Sequence, residues 1–461
     1  MKLKLNFLPY FSFIPKKLNT NSTIFKIIKV FFIAFLLSNC IYLSFFENIF
    51  TQAISSFLAI WGLVLLLKSK SPKQYFWIGF FVGILWFWWI GLSSIYFDLN
   101  YLVPIVIILI GIVYGILFRI CYLFKFDFLR LCGIFCLSFI HPLGFDWLNW
   151  GVYTVYGFFD PSYRGIICIF LLAYIIHENY ISRYYKIAIL LIIFFIGFQY
   201  DEKKSEELNL SYKLISTDIS QDQKFLQENV SVNSDNLIKE IIQAINEKKE
   251  LVILPETAFA FNLKNTLYEK MLKELSYQII IITGAFNIQE GKTYNSTYIF
   301  KGGNSYILNK HFLVPFGEEI PFFKKTIQKY FLPNIAEFDQ GPLQSKYKLN
   351  DQIITNAICY EATKEQNYKN SKIIIAISNN AWFNYSSEYK LQKLLMQFYA
   401  SKYGVSVYHA TNGKESGVIK PKEKFVQKIK NYFNKCRRKN KISIWKNKTS
   451  IKVEILFFYK P

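Results

Sequence analysis

The chain has no CxxC pair. Its seven cysteines stand at 40, 121, 132, 136, 168, 359 and 436, and five of them lie in or beside long apolar runs. Neither a zinc site nor a disulfide framework is indicated. No internal repeat is visible. No small-residue cleavage site follows the first apolar stretch, and further apolar runs come after it, so the N-terminus does not read as a removable signal peptide. Acidic residues are few: 32 Asp+Glu against 54 Lys+Arg, a formal charge of +22. That balance often marks nucleic-acid binding, but its placement argues against it. Residues 1–200 carry a net +9, residues 201–419 a net +1 and residues 420–461 a net +12. A nearly neutral middle offers no nucleic acid a basic face.

What the chain has in plenty is apolar and aromatic side chains, 52% and 19% of the whole. They gather in uncharged runs over residues 30–46, 48–67, 74–97 and 99–118, with shorter ones over 131–145, 165–177 and 187–200. A helix needs about 20 apolar residues to cross the hydrocarbon core. The first four qualify, and the last three do so if flanking residues snorkel, giving seven expected spans in a transmembrane domain of residues 1–200. Charge placement orients them. With the N-terminus in the cytoplasm, Lys2, Lys4, Lys16, Lys17, Lys26, Lys29, Lys68, Lys70, Lys73, Arg119, Lys125, Arg130, Arg183 and Lys186 face inward. Only Arg164 faces outward, beside Glu47, Asp98, Asp146 and Asp160. That asymmetry follows the positive-inside rule. An odd number of spans puts everything after Tyr200 outside the cytoplasm, in a bacterium the periplasmic side of the inner membrane. Trp86–Gly91 reads as an interfacial aromatic belt, and His141 and His177 as structural residues near span ends.

From about Leu208 the pattern changes to short β-rich runs alternating with amphipathic segments. Strands are expected at 212–217, 251–254, 278–286, 297–300, 305–308, 353–360, 372–378 and 405–411, and helices at 233–247, 267–275 and 387–403. This alternation argues for a layered α/β domain over residues 208–419. Three reactive residues close strands or follow them: Glu256 in LVILPETAF, Lys310 in NKHFLVPFGEEIPF (which also holds Glu318) and Cys359 in NAICYE. A thiol needs a base to become a thiolate and a cation to stabilise the anions that form. A Glu, a Lys and a Cys can supply those functions for acyl transfer. Taken singly, each is ordinary. A Glu after a strand is usually a cap, a Lys is usually solvated, and a Cys on an apolar strand is usually a small core residue. Separations of 54 and 49 residues follow no spacing rule.

The surroundings of these residues are more specific. PET, KHFLVPFGE and ICYE occur in that order, followed by ISNNAWF (377–383) and HATNGKESGVI (409–419). Over residues 25–419 the sequence resembles the apolipoprotein N-acyltransferase family, membrane-bound members of the nitrilase (carbon–nitrogen hydrolase) superfamily. The resemblance implies a multi-span α-helical membrane bundle carrying a nitrilase-like α-β-β-α sandwich. It implies Glu256 as general base, Lys310 as oxyanion-stabilising cation and Cys359 as nucleophile, with Glu318, Tyr360 and Glu361 in support and no metal or cofactor. The implied reaction moves a fatty acyl chain from the sn-1 ester of a phospholipid, through a cysteine thioester, to the α-amine of a diacylglyceryl-cysteine at the N-terminus of an apolipoprotein. The expected partners are therefore a phospholipid acyl donor, a diacylated apolipoprotein acceptor and the lipid bilayer. Departures from the family pattern are Phe225 for a common Trp, Asn380 for a frequent Asp and His409 for the usual Arg. The C-terminal 420–461 also departs: the family continues with strands and a final span, whereas this stretch holds 14 Lys+Arg and reads as a disordered basic tail. A membrane-tethered nitrilase-like amidase using water, and an inactive lipid-binding pseudoenzyme, are the competing readings.

Overall fold

The computed structural model describes residues 23–434 apart from 47, 316, 321–336 and 344. The four N-terminal lysines Lys2, Lys4, Lys16 and Lys17, Glu47, and the basic stretch from residue 435 onward with Cys436 lie outside the described residues.

Seven helices follow the seven uncharged runs: α1 (Thr23–Leu43), α2 (Ile49–Leu67), α3 (Pro72–Phe87), α4 (Leu102–Tyr122), α5 (Asp127–Cys136), α6 (Tyr163–His177) and α7 (Arg183–Gly197). Their starts are locally specified. Asn48 caps α2 by accepting from the Phe50 N–H, and Ser71 caps α3 with Pro72 in its first turn. Among the described residues, four helical stretches are long and apolar enough to cross a membrane: α1, α2, α3 with its 3-10 continuation to Tyr96, and α4. The last three helices fall short of the about 20 residues that a crossing needs. α5 has 10 residues and α6 and α7 have 15 each. At 1.5 Å per residue, α5 covers about half the hydrocarbon thickness. Phe126 precedes α5 and the chain turns into 3-10 structure after Cys136, so apolar composition there outruns helix length.

α3 and α4 pack through glycines. A Cβ on Gly79 would lie 2.5 Å from the Tyr114 carbonyl oxygen, and one on Gly111 would lie 2.7 Å from the Phe80 ring. Gly79 and Gly83 on α3 make room for Tyr114 and Phe118, and Gly111 and Gly115 on α4 make room for Phe80 and Phe76, the small-xxx-small pattern that lets membrane helices approach closely. The outward faces of α4 and α7 expose Ile105, Ile108, Leu109, Ile116, Leu191, Ile192, Phe195 and Ile196, a surface suited to lipid and costly in water.

The remainder is a two-sheet sandwich. In the first sheet the order is β1 (Tyr212–Leu214), β2 (Leu251–Ile253), β4 (Ile280–Gln289), β5 (Lys292–Lys301) and β6 (Asn304–Asn309), with β3 (Phe259–Asn262) also on β4. β1, β2 and β4 are parallel, and β4, β5 and β6 form an antiparallel meander. The second sheet runs β11 (Gly417–Ile419), β10 (Ser406–Asn412), β9 (Ile373–Asn379), β8 (Gln352–Ile358) and β7 (Lys346–Leu349), with β8, β9 and β10 parallel. β9 is buried throughout, as an inner parallel strand covered on both faces must be. Its Ile373, Ile375 and Ile377 meet Leu251, Ile253 and Ile282 of the facing sheet. Ile374 and Ala376 point the other way, into a core shared with α10 (Glu388–Tyr403) and the membrane helices. On the far side, α8 (Gln227–Asn246) and α9 (Leu267–Leu275) cover the first sheet through Leu237, Ile241 and Leu272. The layers are therefore α-β-β-α, with one helical layer fused to the membrane bundle. Thr217 joins the two sheets: its N–H donates to the Thr411 carbonyl at 3.2 Å and its carbonyl accepts from the Gly413 N–H at 2.7 Å.

The basic C-terminal stretch begins docked rather than solvated. Lys422 is buried and its Nζ donates to the carbonyls of Thr154 and Phe159, both at 2.8 Å. Phe425 packs edge-on against Phe158.

Candidate active site

The parallel strands of both sheets end on one side of the sandwich, and the site is built from those ends. Glu256 follows β2 after Leu254 and Pro255. Lys310 follows β6, and Cys359 follows β8 directly. Two of these turns are strained: Thr257 has φ +45° and Cys359 φ +52°. A non-glycine residue in that region persists where its surroundings enforce it, commonly at functional sites. Gly284 on β4 makes room for the first turn, since a Cβ there would lie 2.4 Å from the Thr257 nitrogen and 2.6 Å from the Glu256 Cα.

Sequence positions far apart converge here. The Lys310 ammonium, fully buried, lies 2.7 Å from Glu318 Oε2 and 3.7 Å from Glu256 Oε1. Asn295 on β5 bridges the two acids, one Nδ2 hydrogen going to Glu256 Oε1 at 2.7 Å and the other to Glu318 Oε1 at 2.9 Å. The second Glu256 oxygen accepts from the Asn379 backbone N–H at 2.7 Å. Glu318 Oε2 also accepts from the Val314 N–H at 2.9 Å. Cys359 is half-buried and lies in the electrostatic field of Glu256, Lys310, Glu318 and Glu388.

Burial would lower the Lys310 ammonium, but Glu318 and Glu256 outweigh it and hold the group charged well above its usual range. Burial first, and then Glu256, push the Cys359 thiol well above the usual range against the pull of Lys310. Such a resting sulfur is a thiol, which would need a base to act as a nucleophile, and Glu256 is a carboxylate whose charge acts on it.

The supporting residues named from the sequence have distinct structural parts. Glu361 accepts from the N–H groups of His311 (2.8 Å), Phe312 (3.2 Å) and Ile358 (2.9 Å), tying the segment after Lys310 to the end of the Cys359 strand. Tyr360 donates to Asp146 Oδ1 at 2.7 Å, stacks on Phe145 and lies beneath the Lys364 ammonium at 3.7 Å. It fixes the Cys359 turn to the membrane half. Phe225 is partly exposed and stacks on Phe286, which meets Phe338.

Sequence reasoning missed Asn295, Lys224 and Glu388. Asn295 could have been flagged, because the polar run Asn-Ser-Thr occupies buried positions of a central strand. Lys224 lies in the short turn Gln221–Lys224, is buried, and donates to the Glu256 carbonyl at 3.1 Å. Burial pushes it down to about 7. His409, at the position of an expected Arg, is buried and bonds Ser378 Oγ at 2.8 Å.

Comparison with known proteins adds a second line. The family described as "Apolipoprotein N-acyltransferase integral membrane domain" matches residues 24–198. The chain is 81% identical over 431 residues to the apolipoprotein N-acyltransferase of Campylobacter jejuni, covering 94% of this chain and 98% of that protein. It is 34% identical to the protein of the same name from Helicobacter pylori, covering 80% and 88%. With that of Wolinella succinogenes the identity is 35%, covering 84% and 94%. Among solved structures it is similar to a CN-hydrolase superfamily protein from Xanthomonas campestris, with 13% identity, a TM-score of 0.36, and coverage of 46% of this chain and 83% of that one.

Proposed function

The chain belongs to the apolipoprotein N-acyltransferase family, and on that premise we propose that it completes lipoprotein maturation by moving a fatty acyl chain through Cys359. As the Cys359 sulfur attacks the sn-1 ester carbonyl of a phospholipid, Glu256 takes the thiol proton. A C–S bond forms, the ester C–O bond breaks, and the departing lysophospholipid alkoxide receives that proton. The α-amine of a diacylglyceryl-cysteine at an apolipoprotein N-terminus then attacks the thioester. The C–N bond forms, the C–S bond breaks, and a proton from the amine returns to sulfur through Glu256. Lys310 stabilises the oxyanion in both steps.

The observation that carries this reading is the buried Glu256–Lys310–Glu318 cluster bridged by Asn295 beside Cys359. An inactive lipid-binding protein has no use for a buried ammonium held charged by two carboxylates, and water as acceptor gives no role to the seam with the membrane helices. Inner-membrane residence with the sandwich on the periplasmic side is supported by the inward bias of Lys and Arg. There the donor phospholipid and the diacylated acceptor share one leaflet with the site.

The test is a product assay with phosphatidylethanolamine and a synthetic diacylated lipopeptide. The reading expects N-acylated lipopeptide and lysophospholipid in equal amounts. Free fatty acid without lipopeptide acylation would replace it with a hydrolase.

A further inference from the structure

One carboxylate near the thiol has no part in the mechanism above. Glu388 opens α10 and is buried, with 3% exposure. Its Oε2 accepts from Asn380 Nδ2 at 2.9 Å. Among the described residues no cation lies within ion-pair distance of it. Lys414 acts on it from farther away, its ammonium lying 4.9 Å from the centre of the Tyr389 ring. A buried carboxylate without a paired cation is costly.

The atoms around Glu388 are equally unsatisfied. Asn380 Oδ1, Ser387 Oγ and Gln392 Nε2 are buried without hydrogen-bond partners, and their residues are 2%, 3% and 1% exposed. Native interiors leave few such atoms, so three of them around one carboxylate call for a partner. The group adjoins the chemistry. Asn380 follows Asn379, whose N–H is bonded to Glu256, and the Glu388 charge is felt at Cys359. It also adjoins the membrane half. The Ala381 carbonyl accepts from Tyr96 OH at 3.2 Å, the Phe383 ring lies 4.8 Å from that of Trp89, and the Tyr389 ring lies 5.9 Å from that of Phe45 beyond α1.

We propose that Glu388, with Asn380 Oδ1 and Ser387 Oγ beside it, is the subsite that receives the primary ammonium of the acyl acceptor. This deepens the function proposed above and rests on it. An ammonium brings three donors and a positive charge. The subsite offers a carboxylate and two neutral acceptors with no competing cation in contact. The acceptor is anchored by its lipid chains, so its amine reaches protein at the membrane seam, where the 380–383 loop sits. The acceptor ammonium loses one proton to Glu388, which passes it to solvent. The free amine forms the C–N bond at the thioester carbon, the C–S bond breaks, and a second proton passes through Glu256 to the thiolate. The third stays on the amide.

The two half-reactions separate this proposal from its parent. The full-length protein in detergent is charged with an alkyne-bearing phosphatidylethanolamine and the acyl-enzyme measured. The diacylated lipopeptide is then added and transfer measured. Glu388→Gln should slow transfer at least tenfold more than it slows thioester formation, so that acyl-enzyme accumulates and the KM for lipopeptide rises. Glu388→Asp should recover part of the transfer rate. Asn380→Ala, which removes a neutral group only, tests the same subsite should Glu388→Gln fail to fold. It should bias the loss toward transfer in the same direction. Equal effects on both half-reactions, or none on transfer, would overturn the subsite. Failure of the unaltered protein to form any acyl-enzyme would instead overturn the parent function, and this proposal with it.

Discussion

Neutralising Glu318 tests whether the buried ammonium is maintained for catalysis. Lys310 Nζ and Glu318 Oε2 are 2.7 Å apart with the lysine side chain fully buried. At an effective dielectric near 20 their attraction is about 6 kcal/mol before desolvation is subtracted. Cutting one partner of a buried pair costs about 3–5 kcal/mol. Glu256 remains 3.7 Å away and glutamine keeps an acceptor for the Val314 N–H, so Glu318→Gln belongs at the low end, about 3 kcal/mol. Expressed wholly in the oxyanion step, that is roughly a 100-fold slower thioester formation. The pH dependence has a definite sign. Burial alone pulls the Lys310 ammonium down, and Glu318 is the strongest of the groups that raise it. Because the folded value is raised, this stabilisation is present below the unfolded lysine value and lost as pH rises through the folded one. Without Glu318 the alkaline fall in rate moves to lower pH. The assay is the pH–rate profile of acyl-enzyme formation from labelled phosphatidylethanolamine. A variant within about twofold of the parent rate, with its alkaline limb unmoved, would refute the reasoning.

Two further outcomes follow from particular contacts. Gly284→Ala places a Cβ within 2.6 Å of the Glu256 backbone; we expect about 1–3 kcal/mol of destabilisation by chemical denaturation, with a proportionally larger loss of acyl-enzyme rate because the proposed base is displaced. His409, pushed down to about 3 chiefly by burial, is neutral when folded. Its contribution is therefore present above the unfolded value near 6.5 and lost as pH falls toward 3, at no more than about 1.4 kcal/mol per pH unit. His409→Gln should flatten that acid slope in denaturation series between pH 6.5 and 4 (roughly the window set by those two values), and an unchanged slope would count against the assignment.

The helices and strands were legible wherever a run of residues decided them. Leu267–Leu275 forms the helix expected from its pattern, and the all-apolar strand at 373–379 lies between two covered faces. β3, β7 and β11 were not foreseen, because these short strands take their place from pairing with β4, β8 and β10 rather than from their own pattern. The length of α5 was misjudged because apolar composition says nothing of where backbone helicity stops. For the site, Glu256, Lys310 and Cys359 were visible as reactive residues at strand ends. That they meet is a property of two sheets whose parallel strands end on one side, which no separation of 54 or 49 residues encodes. Asn295, Lys224 and Glu388 escaped for the same reason. Each draws its meaning from a partner remote in sequence: Asn295 and Lys224 from Glu256, and Glu388 from Cys359 across a β-strand. The basic stretch after Ile419 looked solvated by charge count, yet Lys422 is buried because two main-chain carbonyls accept from its ammonium.

The measurement closest to the central claim is peptide mass spectrometry of the full-length protein after incubation with a phospholipid of defined acyl chains and no acceptor. The account predicts one acyl group on the peptide containing Cys359, cleavable by hydroxylamine and absent from Cys359→Ala. Acylation at another residue, or a Cys359→Ala protein that still carries the adduct, would contradict it.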